Sequence, residues 1–422
     1  MFKLKSSSLA AKVASGTFWI LIGTVISSGS SLLASFFLAR ILGQVGMGEY
    51  GILINTANMF VIFATFGLGV TTTKHVAEFL EKNPERAGRI VGMTLTMAIL
   101  MGGCVSAGVT VMAPVLAEQA MGAAHLTRYL YIIAIGLGIS AVASVPSAIL
   151  TGLQLFKWVG FNAAIGGVFT AGAIITGAMQ YGVEGAITGY VCGQGVNLIL
   201  NSICALIYMP RFGLSINLRG CWSERRLLVT YSLPSVFSSM MLSPVHWLCN
   251  SMLAHEPNGY AKLGIFHAAN QWSAAVMFLP HLMGKASLPL LSNQERFDKK
   301  AMNHIILLNL IPVTVVVLGI IVFSQYIMKG YGPNFVEGWP VLCLIVLAYG
   351  LTASVAPLGN LIAARNKQWM GFLLNLIWAC LYIGMTYLYK GEGAIGLAQA
   401  LLIAYVIHTL NMILYSLTRL YR

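Results

Sequence analysis

The stretch Ala39-Arg-Ile-Leu-Gly-Gln-Val-Gly-Met-Gly-Glu-Tyr-Gly-Ile-Leu53 separates the first two long apolar runs of the chain. Glycine-rich loops that cradle phosphate follow a β-strand and open a helix. This stretch instead follows an apolar segment long enough to cross a membrane as a helix. The G-x-x-x-x-G-K-[ST] pattern of nucleotide hydrolases does not occur in the sequence. We therefore interpret the stretch as a turn between two membrane spans, because glycine adopts the backbone conformations that tight turns need.

The composition agrees with a membrane protein. The 422 residues are 58% hydrophobic and only 9% charged, and the mean hydropathy is +0.80. Soluble proteins have about a quarter of their residues charged. Water could not solvate so apolar a surface, so we predict an all-α, polytopic membrane protein.

The apolar runs predict twelve transmembrane helices. Their centres lie near Val25, Ile62, Leu100, Leu137, Gly172, Leu198, Met241, Val276, Val315, Ile345, Ile377 and Ile403. With the N-terminus inside, twenty of the Lys and Arg residues lie in cytoplasmic loops or termini and five lie outside. This bias predicts that both termini are cytoplasmic. It also accounts for most of the net charge of +13 without a nucleic-acid partner.

Short loops argue against an enzyme. None of the expected loops is long enough for a soluble catalytic domain, and we expect no catalytic residues and no cofactor. The seven cysteines form no CxxC pair, so the sequence predicts no metal site. All but Cys221 fall in apolar runs, and we interpret them as small core residues.

The two halves of the chain resemble each other. Four matches recur in order at offsets between 208 and 213 residues: Val45–Leu53 with Asn258–Phe266, Pro146 with Pro357, Lys157–Phe161 with Gln368–Phe372, and Glu184–Ile187 with Glu392–Ile395. Six spans in each half give a parallel repeat, and such transporters place their substrate path between the halves. We predict an N-terminal six-helix lobe over 1-210, a cytoplasmic linker over 211-226 and a C-terminal six-helix lobe over 227-422, which work by alternating access.

Polar residues at helical spacing mark the spans that face a cavity or another helix. Such stripes occur in the first, second, seventh and eighth spans, and the eighth carries His267, Gln271, His281 and Lys285. Hydroxyl and small residues can also pack helices together without lining a path. Two histidines, a glutamine and a lysine are costly to bury for packing alone, so for the eighth span we favour the cavity.

The charges favour an anionic substrate. The only aspartate, Asp298, lies in a basic cytoplasmic loop, and the glutamates lie in loops or at the ends of spans. Cationic and neutral polar groups remain, which suit a phosphate-bearing molecule. The candidate substrate-binding residues are Arg40, His246, His267, Gln271 and Lys285. For Arg40 we favour an anchor at the membrane interface over the outer rim of the anion path.

Three segments carry a resemblance to a known family: Ser15-Gly-Thr-Phe-Trp19, the turn from Ala39 to Gly51, and Thr151-Gly-Leu-Gln-Leu-Phe-Lys157. The chain resembles Wzx-type O-antigen flippases, in the polysaccharide transport branch of the multidrug/oligosaccharidyl-lipid/polysaccharide superfamily. The resemblance implies movement of undecaprenyl-pyrophosphate-linked repeat units across a bacterial inner membrane. It implies membrane lipid, an O-antigen polymerase and a chain-length regulator as partners.

Other functions stay open at this point. An antiporter for drugs or organic cations in the same superfamily is disfavoured, because such a protein needs an acidic residue inside the membrane. A polymerase or ligase needs a larger outer loop with acid–base residues. A scaffold that transports nothing is the third alternative.

Overall fold

The computed structural model describes residues 6–233, 236, 240–278, 280, 299–365 and 367–420. These residues form α-helices joined by short 3-10 and π turns, and the described part of the chain contains no strand. The α-helices are α1 Ser6–Thr65, α2 Leu68–Phe79, α3 Pro84–Val115, α4 Thr127–Gly152, α5 Phe156–Tyr208, α6 Leu242–Ala254, α7 Gly259–Asn270, α8 Lys299–Val322, α9 Ser324–Tyr331, α10 Trp339–Ala364, α11 Gln368–Tyr389 and α12 Ala394–Tyr415.

Long apolar helices dominate this architecture. By length and composition, seven helices among the described residues could cross a membrane, or eight when the bent pair Ile306–Val322 and Ser324–Tyr331 counts as one span. Two of the seven, Phe18–Thr65 and Phe156–Phe212, have 48 and 57 residues. One crossing takes about 20 residues. Each of these two stretches is therefore long enough for two spans.

Both long helices are interrupted where a second span would begin. Gly43 leaves the helical conformation at φ 67° and ψ −173°, and α5 breaks at Tyr181 and Gly182. Helical residues resume directly after each break. The turn expected between Ala39 and Leu53 is therefore confined to Gly43, because a left-handed φ at a single glycine is enough to end one helix.

The break at Gly182 recurs in the second half of the chain. Gly182 has φ 60° and ψ −135°, and Gly393, which precedes α12, has φ 76° and ψ −137°. The offset between them is 211, the same as between Pro146 and Pro357. The sequence match of Glu184–Ile187 with Glu392–Ile395 has an offset of 208, which differs from this value by three residues. The backbone match at the two glycines and the residue match beside them therefore have different registers.

The chain forms two compact units. One contains residues 1–34 and 53–240, and the other contains residues 35–52 and 241–422. This division differs from the lobes expected over 1-210 and 227-422, because the middle of α1 packs within the second unit. The two expected lobes stay a prediction.

The expected linker, 211-226, packs against the first unit. Asn217 N donates to Gly88 O at 3.1 Å, so an extended segment lies along the start of α3. Leu214 and Cys221 belong to the hydrophobic core of this unit. Arg86 adds a bidentate ion pair, with its Nε and Nη2 each 3.0 Å from the Glu224 carboxylate oxygens. These contacts fix the segment as part of the first unit.

The second unit contains the largest fully buried aromatic residues of the described chain: Trp378, Tyr331, Tyr382 and Phe335. Tyr331 is the last residue of α9, Phe335 lies in the 3-10 turn Pro333–Gly338 that follows, and Trp378 and Tyr382 belong to α11. Smaller apolar residues of α10, α11 and α12 form a further core cluster. Within this unit, the aromatic rings of α11 lie beside polar side chains.

Candidate functional site

Arg40 contacts the end of α9 within the second unit. Its Nε donates to the carbonyl oxygen of Gly330 at 2.8 Å, and its side chain is exposed. Gln44 Nε2 donates to Asn334 O at 2.6 Å nearby. The last carbonyls of a helix carry partial negative charge, which favours a cation there. These contacts attach Arg40 to the end of α9. Its expected role as an anchor at the membrane interface stays a prediction.

His267 and Gln271 lie together on α7 and directly after it. His267 is 7% exposed, and its Nε2 lies 3.2 Å from Gln271 Nε2. The amide can donate this bond only when His267 Nε2 is unprotonated. Gly51 packs against the imidazole, because a Cβ there would lie 2.6 Å from His267 Cγ. The structure therefore brings two of the five candidate residues into contact, and their role in substrate binding stays a prediction.

His246 belongs to a different set of contacts. Its ring lies 5.6 Å from that of Trp378 and 5.3 Å from that of Tyr382, measured between centroids. Both aromatic partners come from α11. His246 thus joins an aromatic cluster, whereas His267 packs against the second half of α1.

Lys285 and His281 lie outside the described residues. The polar stripe of the eighth span is therefore described only at its beginning, at His267 and Gln271. The role of Lys285 stays a prediction from the sequence.

A cavity in the second unit contains polar residues that the sequence interpretation missed. Its main part has a volume of about 340 Å³, and an adjoining part has about 250 Å³. Both parts are lined by Met277, Thr352, Asn375 and His408. Asn375 lies within an apolar helix, which could have identified it from the sequence.

Aromatic rings form one wall of this cavity. The main part is lined by Tyr349, Trp378 and Tyr405, together with Ser273. Trp378 and Tyr405 stack with centroids 5.4 Å apart and planes 28° apart, and Tyr349 lies 5.6 Å from Tyr405. Pockets that bind small molecules are typically apolar and aromatic, with a few polar groups. This cavity has that composition.

The first unit has a larger cavity, of about 1010 Å³, beside the segment that follows α5. Arg225, Arg226 and Trp222 line one part, and apolar residues such as Phe66 and Met97 line another. Nearby, the hydroxyls of Thr71 and Ser232 are 2.7 Å apart, and Lys74 lies over the ring of Tyr231. These contacts hold the end of the segment against α2.

Other polar contacts within the first unit have a packing role. Asn162 Nδ2 donates to Asn201 Oδ1 at 3.1 Å, between the two parts of α5. Thr72 donates to Thr94 at 3.0 Å. Thr72 belongs to the stripe predicted in the second span, and here it joins α2 to α3, as expected when hydroxyls pack helices together.

The structure offers no grouping for a metal among the residues it describes, since no three His, Cys, Asp or Glu side chains are suitably placed. The cysteines are free, and Cys221 is buried although it lies outside the apolar runs. What the described geometry offers is an aromatic and polar cavity within the apolar helices of the second unit.

Comparisons with known proteins agree with this architecture. Residues 13–295 match the family model described as "Polysaccharide biosynthesis protein". The EPS I polysaccharide export inner membrane protein EpsE of Ralstonia nicotianae is 24% identical over 390 residues, which cover 89% of this chain and 87% of the relative.

Two solved structures have a similar fold. The lipid II flippase MurJ in its inward closed conformation gives a TM-score of 0.73 at 16% identity, with 94% of this chain and 87% of that chain covered. An inward-facing multidrug resistance MATE transporter of the MOP superfamily gives 0.67 at 16% identity, with 95% and 99% covered. At this level of identity the likeness concerns the fold alone. The predicted fold class, an all-α polytopic membrane protein, is confirmed.

Proposed function

The chain belongs to the polysaccharide biosynthesis protein family, and from that premise we propose that it is a flippase for undecaprenyl-pyrophosphate-linked O-antigen repeat units. It moves them from the cytoplasmic to the periplasmic leaflet of a bacterial inner membrane. The two halves alternate in access, and both termini are cytoplasmic. An O-antigen polymerase and a chain-length regulator are its expected protein partners.

The main obstacle to moving such a lipid is the solvation of its polar head group. A pyrophosphate and its sugars cannot cross about 30 Å of hydrocarbon without polar partners. A flippase must therefore supply polar groups inside an apolar bundle while the polyprenyl tail remains in lipid. The chain needs no catalytic residue for this process, because no covalent bond changes.

The single observation that carries the proposal is the cavity of the second unit, where Asn375 and His408 lie among apolar and aromatic residues. An amide and an imidazole within membrane helices are costly unless they have a protein partner or face water or a polar ligand. His408 Nδ1 lies 3.4 Å from Leu374 O, and its ring and Asn375 also line the cavity. The relative from Ralstonia is named as a polysaccharide export protein, and the flippase MurJ shares the fold. Both support a lipid-linked saccharide as the substrate.

We assign substrate-binding roles to five residues. Lys285 attracts the pyrophosphate by charge, and His246, His267 and Gln271 provide polar groups along the path. Arg40 positions the outer end of this path while its Nε holds Gly330. These assignments rest on the polar stripes of the sequence and on the buried contacts of His267 and His246.

The alternative is an ion-coupled antiporter for drugs or organic cations, because a MATE transporter shares the fold. Organic cations favour an acidic partner in the membrane. In the part of the chain that the structure describes, no acidic residue lines either part of the second unit's cavity. The cavity therefore favours the saccharide substrate.

A reconstitution experiment tests the proposal. The full chain is placed in vesicles with lipid-linked repeat units extracted from its host strain, and membrane-impermeant periodate oxidises only the glycan exposed on the outer leaflet. We expect the oxidised fraction of glycan to be larger with the protein than without it, because flipping brings glycan from the inner leaflet to the reagent. An oxidised fraction that the protein does not change, with uptake of ethidium under a pH gradient, would support the antiporter instead.

A further inference from the structure

We propose that the aromatic cavity of the second unit is a subsite for an uncharged sugar ring of the transported molecule. The subsite consists of Tyr349, Trp378 and Tyr405 as aromatic wall and of Asn375 and His408 as polar edge. This inference rests on the proposed flippase function and specifies which part of the substrate the cavity binds.

Five helical segments bring the subsite together within one unit. Tyr349 comes from α10, Asn375 and Trp378 come from α11, and Tyr405 and His408 come from α12. Leu242 at the start of α6 and Ser273 after α7 complete the lining. The centroids of Tyr405 and His408 are 6.5 Å apart, so the polar edge adjoins the aromatic wall.

The charge of the lining decides between ligand classes. Among the described residues, no Arg, Lys, Asp or Glu lines either part of the cavity. A pyrophosphate would need cationic donors, and an organic cation would favour an acid. A polyprenyl tail would gain nothing from Asn375 or His408. A neutral ligand that combines apolar faces with hydroxyl groups fits this lining.

A sugar ring has that combination. Aromatic faces carry partial negative charge, and the C–H groups on one face of a pyranose are polarised positively by the ring oxygens. The hydroxyls around the pyranose edge donate and accept hydrogen bonds. Asn375 can do both, and the hydroxyls of Ser273 and Thr352 can do the same.

The volume is also suitable. The main part, of about 340 Å³, falls at the small end of the range of about 300–1,000 Å³ for small-molecule sites, and the adjoining part adds about 250 Å³. The cavity is therefore sized for a small part of a repeat unit.

The test compares two lipids that differ only in their sugars. Binding of the host's lipid-linked repeat unit and of sugar-free undecaprenyl pyrophosphate is measured with the full chain in lipid nanodiscs. We expect Trp378→Leu to weaken binding of the glycosylated lipid about tenfold, which corresponds to about 1.4 kcal/mol. Binding of the sugar-free lipid stays unchanged.

The matched control is Trp369→Leu, the same substitution on the same helix. Trp369 is 84% exposed and does not line the cavity. Because Trp378 is buried and its variant could fail to fold, Asn375→Leu gives a second measurement at an exposed position and has the same expected selectivity. Melting temperatures in detergent verify folding.

The outcomes separate the two proposals. Equal weakening for both lipids, or no weakening in a folded variant, overturns the sugar subsite and leaves the flippase function intact. Failure of the wild-type protein to bind either lipid overturns the flippase function, on which the subsite rests.

Discussion

Gly48 and Gly264 lie where the second half of α1 crosses α7, and the backbones of the two helices are in direct contact there. A Cβ at Gly48 would overlap the carbonyl oxygen of Tyr260, and a Cβ at Gly264 would overlap that of Gln44. Close backbone approach through small residues is a typical way for membrane helices to associate. The two segments that resemble each other in the sequence thus pack against each other within the second unit.

This crossing predicts a strong effect of one methyl group. Gly264→Ala should destabilise the second unit by about 1–3 kcal/mol, the usual cost of overpacking a close contact. The control is Gly319→Ala in α8, where nothing lies within 4 Å of the added Cβ. The melting temperature in detergent should fall for the first variant and not for the second. Equal melting temperatures would contradict the crossing.

The ion pair between Arg86 and Glu224 should stabilise the packing of the segment that follows α5. Glu224 is 8% exposed, whereas the Arg86 side chain is 37% exposed, so solvent screens part of the interaction. Glu224→Gln should cost about 1–2 kcal/mol, in the range for hydrogen bonds to charged groups. Limited proteolysis should cut residues 213–225 faster in this variant.

The control for that ion pair is Glu85→Gln on α3. Glu85 is 75% exposed and lies 3.6 Å from Arg89, so its loss should change stability by about 0–1 kcal/mol. Equal cleavage rates for the Glu224 and Glu85 variants would show that the bidentate pair does not hold the segment.

The surroundings of His75 predict that the stability of the folded chain depends on pH. Burial lowers the pKa of His75 below 6.5, and the hydrogen bond to Glu78 only partly opposes this effect. Lys74 and Arg86 lower the pKa further, and Tyr231 and Phe79 pack against the ring. The unfolded chain therefore binds the proton more readily than the folded one. Stability should fall as the pH drops below 6.5 towards the lowered pKa.

Thermal unfolding between about pH 7.5 and 5 spans the range where histidine titrates and checks this prediction. His75→Gln should flatten the loss of stability at low pH, whereas His125→Gln, at an exposed position, should not. An unchanged slope in His75→Gln would show that another group titrates.

Two substitutions of Arg40 should distinguish its contact with α9 from an attraction of the substrate. Arg40→Gln removes the charge at the end of α9 and should cost about 0.5–1 kcal/mol of stability. Arg40→Lys keeps the charge and loses the planar guanidinium that holds Gly330. If Arg40 guides the pyrophosphate, Arg40→Lys should flip more lipid than Arg40→Gln in the vesicle assay. Equal flipping at equal protein levels would leave only the anchor.

Lys285 should matter for transport rather than for insertion. Lys285→Ala should lower the surface O-antigen of the host while the amount of protein in the membrane stays the same, because a cation for the pyrophosphate is lost. Arg211→Ala is the control, since Arg211 is exposed and lies over the ring of Tyr208. Normal surface O-antigen in Lys285→Ala would place Lys285 among the ordinary cytoplasmic positive charges.

Local patterns predicted a large part of the fold. Mean hydropathy and run length identified an all-α membrane protein, because a spanning segment must satisfy its backbone within a helix. Gly43 and Pro146 with Pro357 marked a turn and a repeat that recur in the structure. These features depend on residues near one another in the chain, so the sequence carries them directly.

Local sequence patterns predicted less of the candidate site. His267 and Gln271 are one helical turn apart, and their contact follows from spacing alone. Asn375 and Trp378 of α11 share a cavity with His408 of α12 and Tyr349 of α10, and no local pattern links residues of these three helices. His246 was selected for a polar stripe, but the structure places it in an aromatic cluster.

The sequence by itself determined that this chain forms apolar helices and that a turn between Ala39 and Leu53 interrupts the first of them, and it predicts that the two halves are related. Only the tertiary structure decided that the break lies at Gly43, that residues 35–52 pack with the second unit, and that Gly182 and Gly393 have similar backbone conformations. Helix formation is governed by local backbone and solvation energies. Which helices pack together depends on close contacts between distant residues such as Gly48 and Gly264. These contacts depend on the shapes of the packed surfaces, which a sequence pattern does not show.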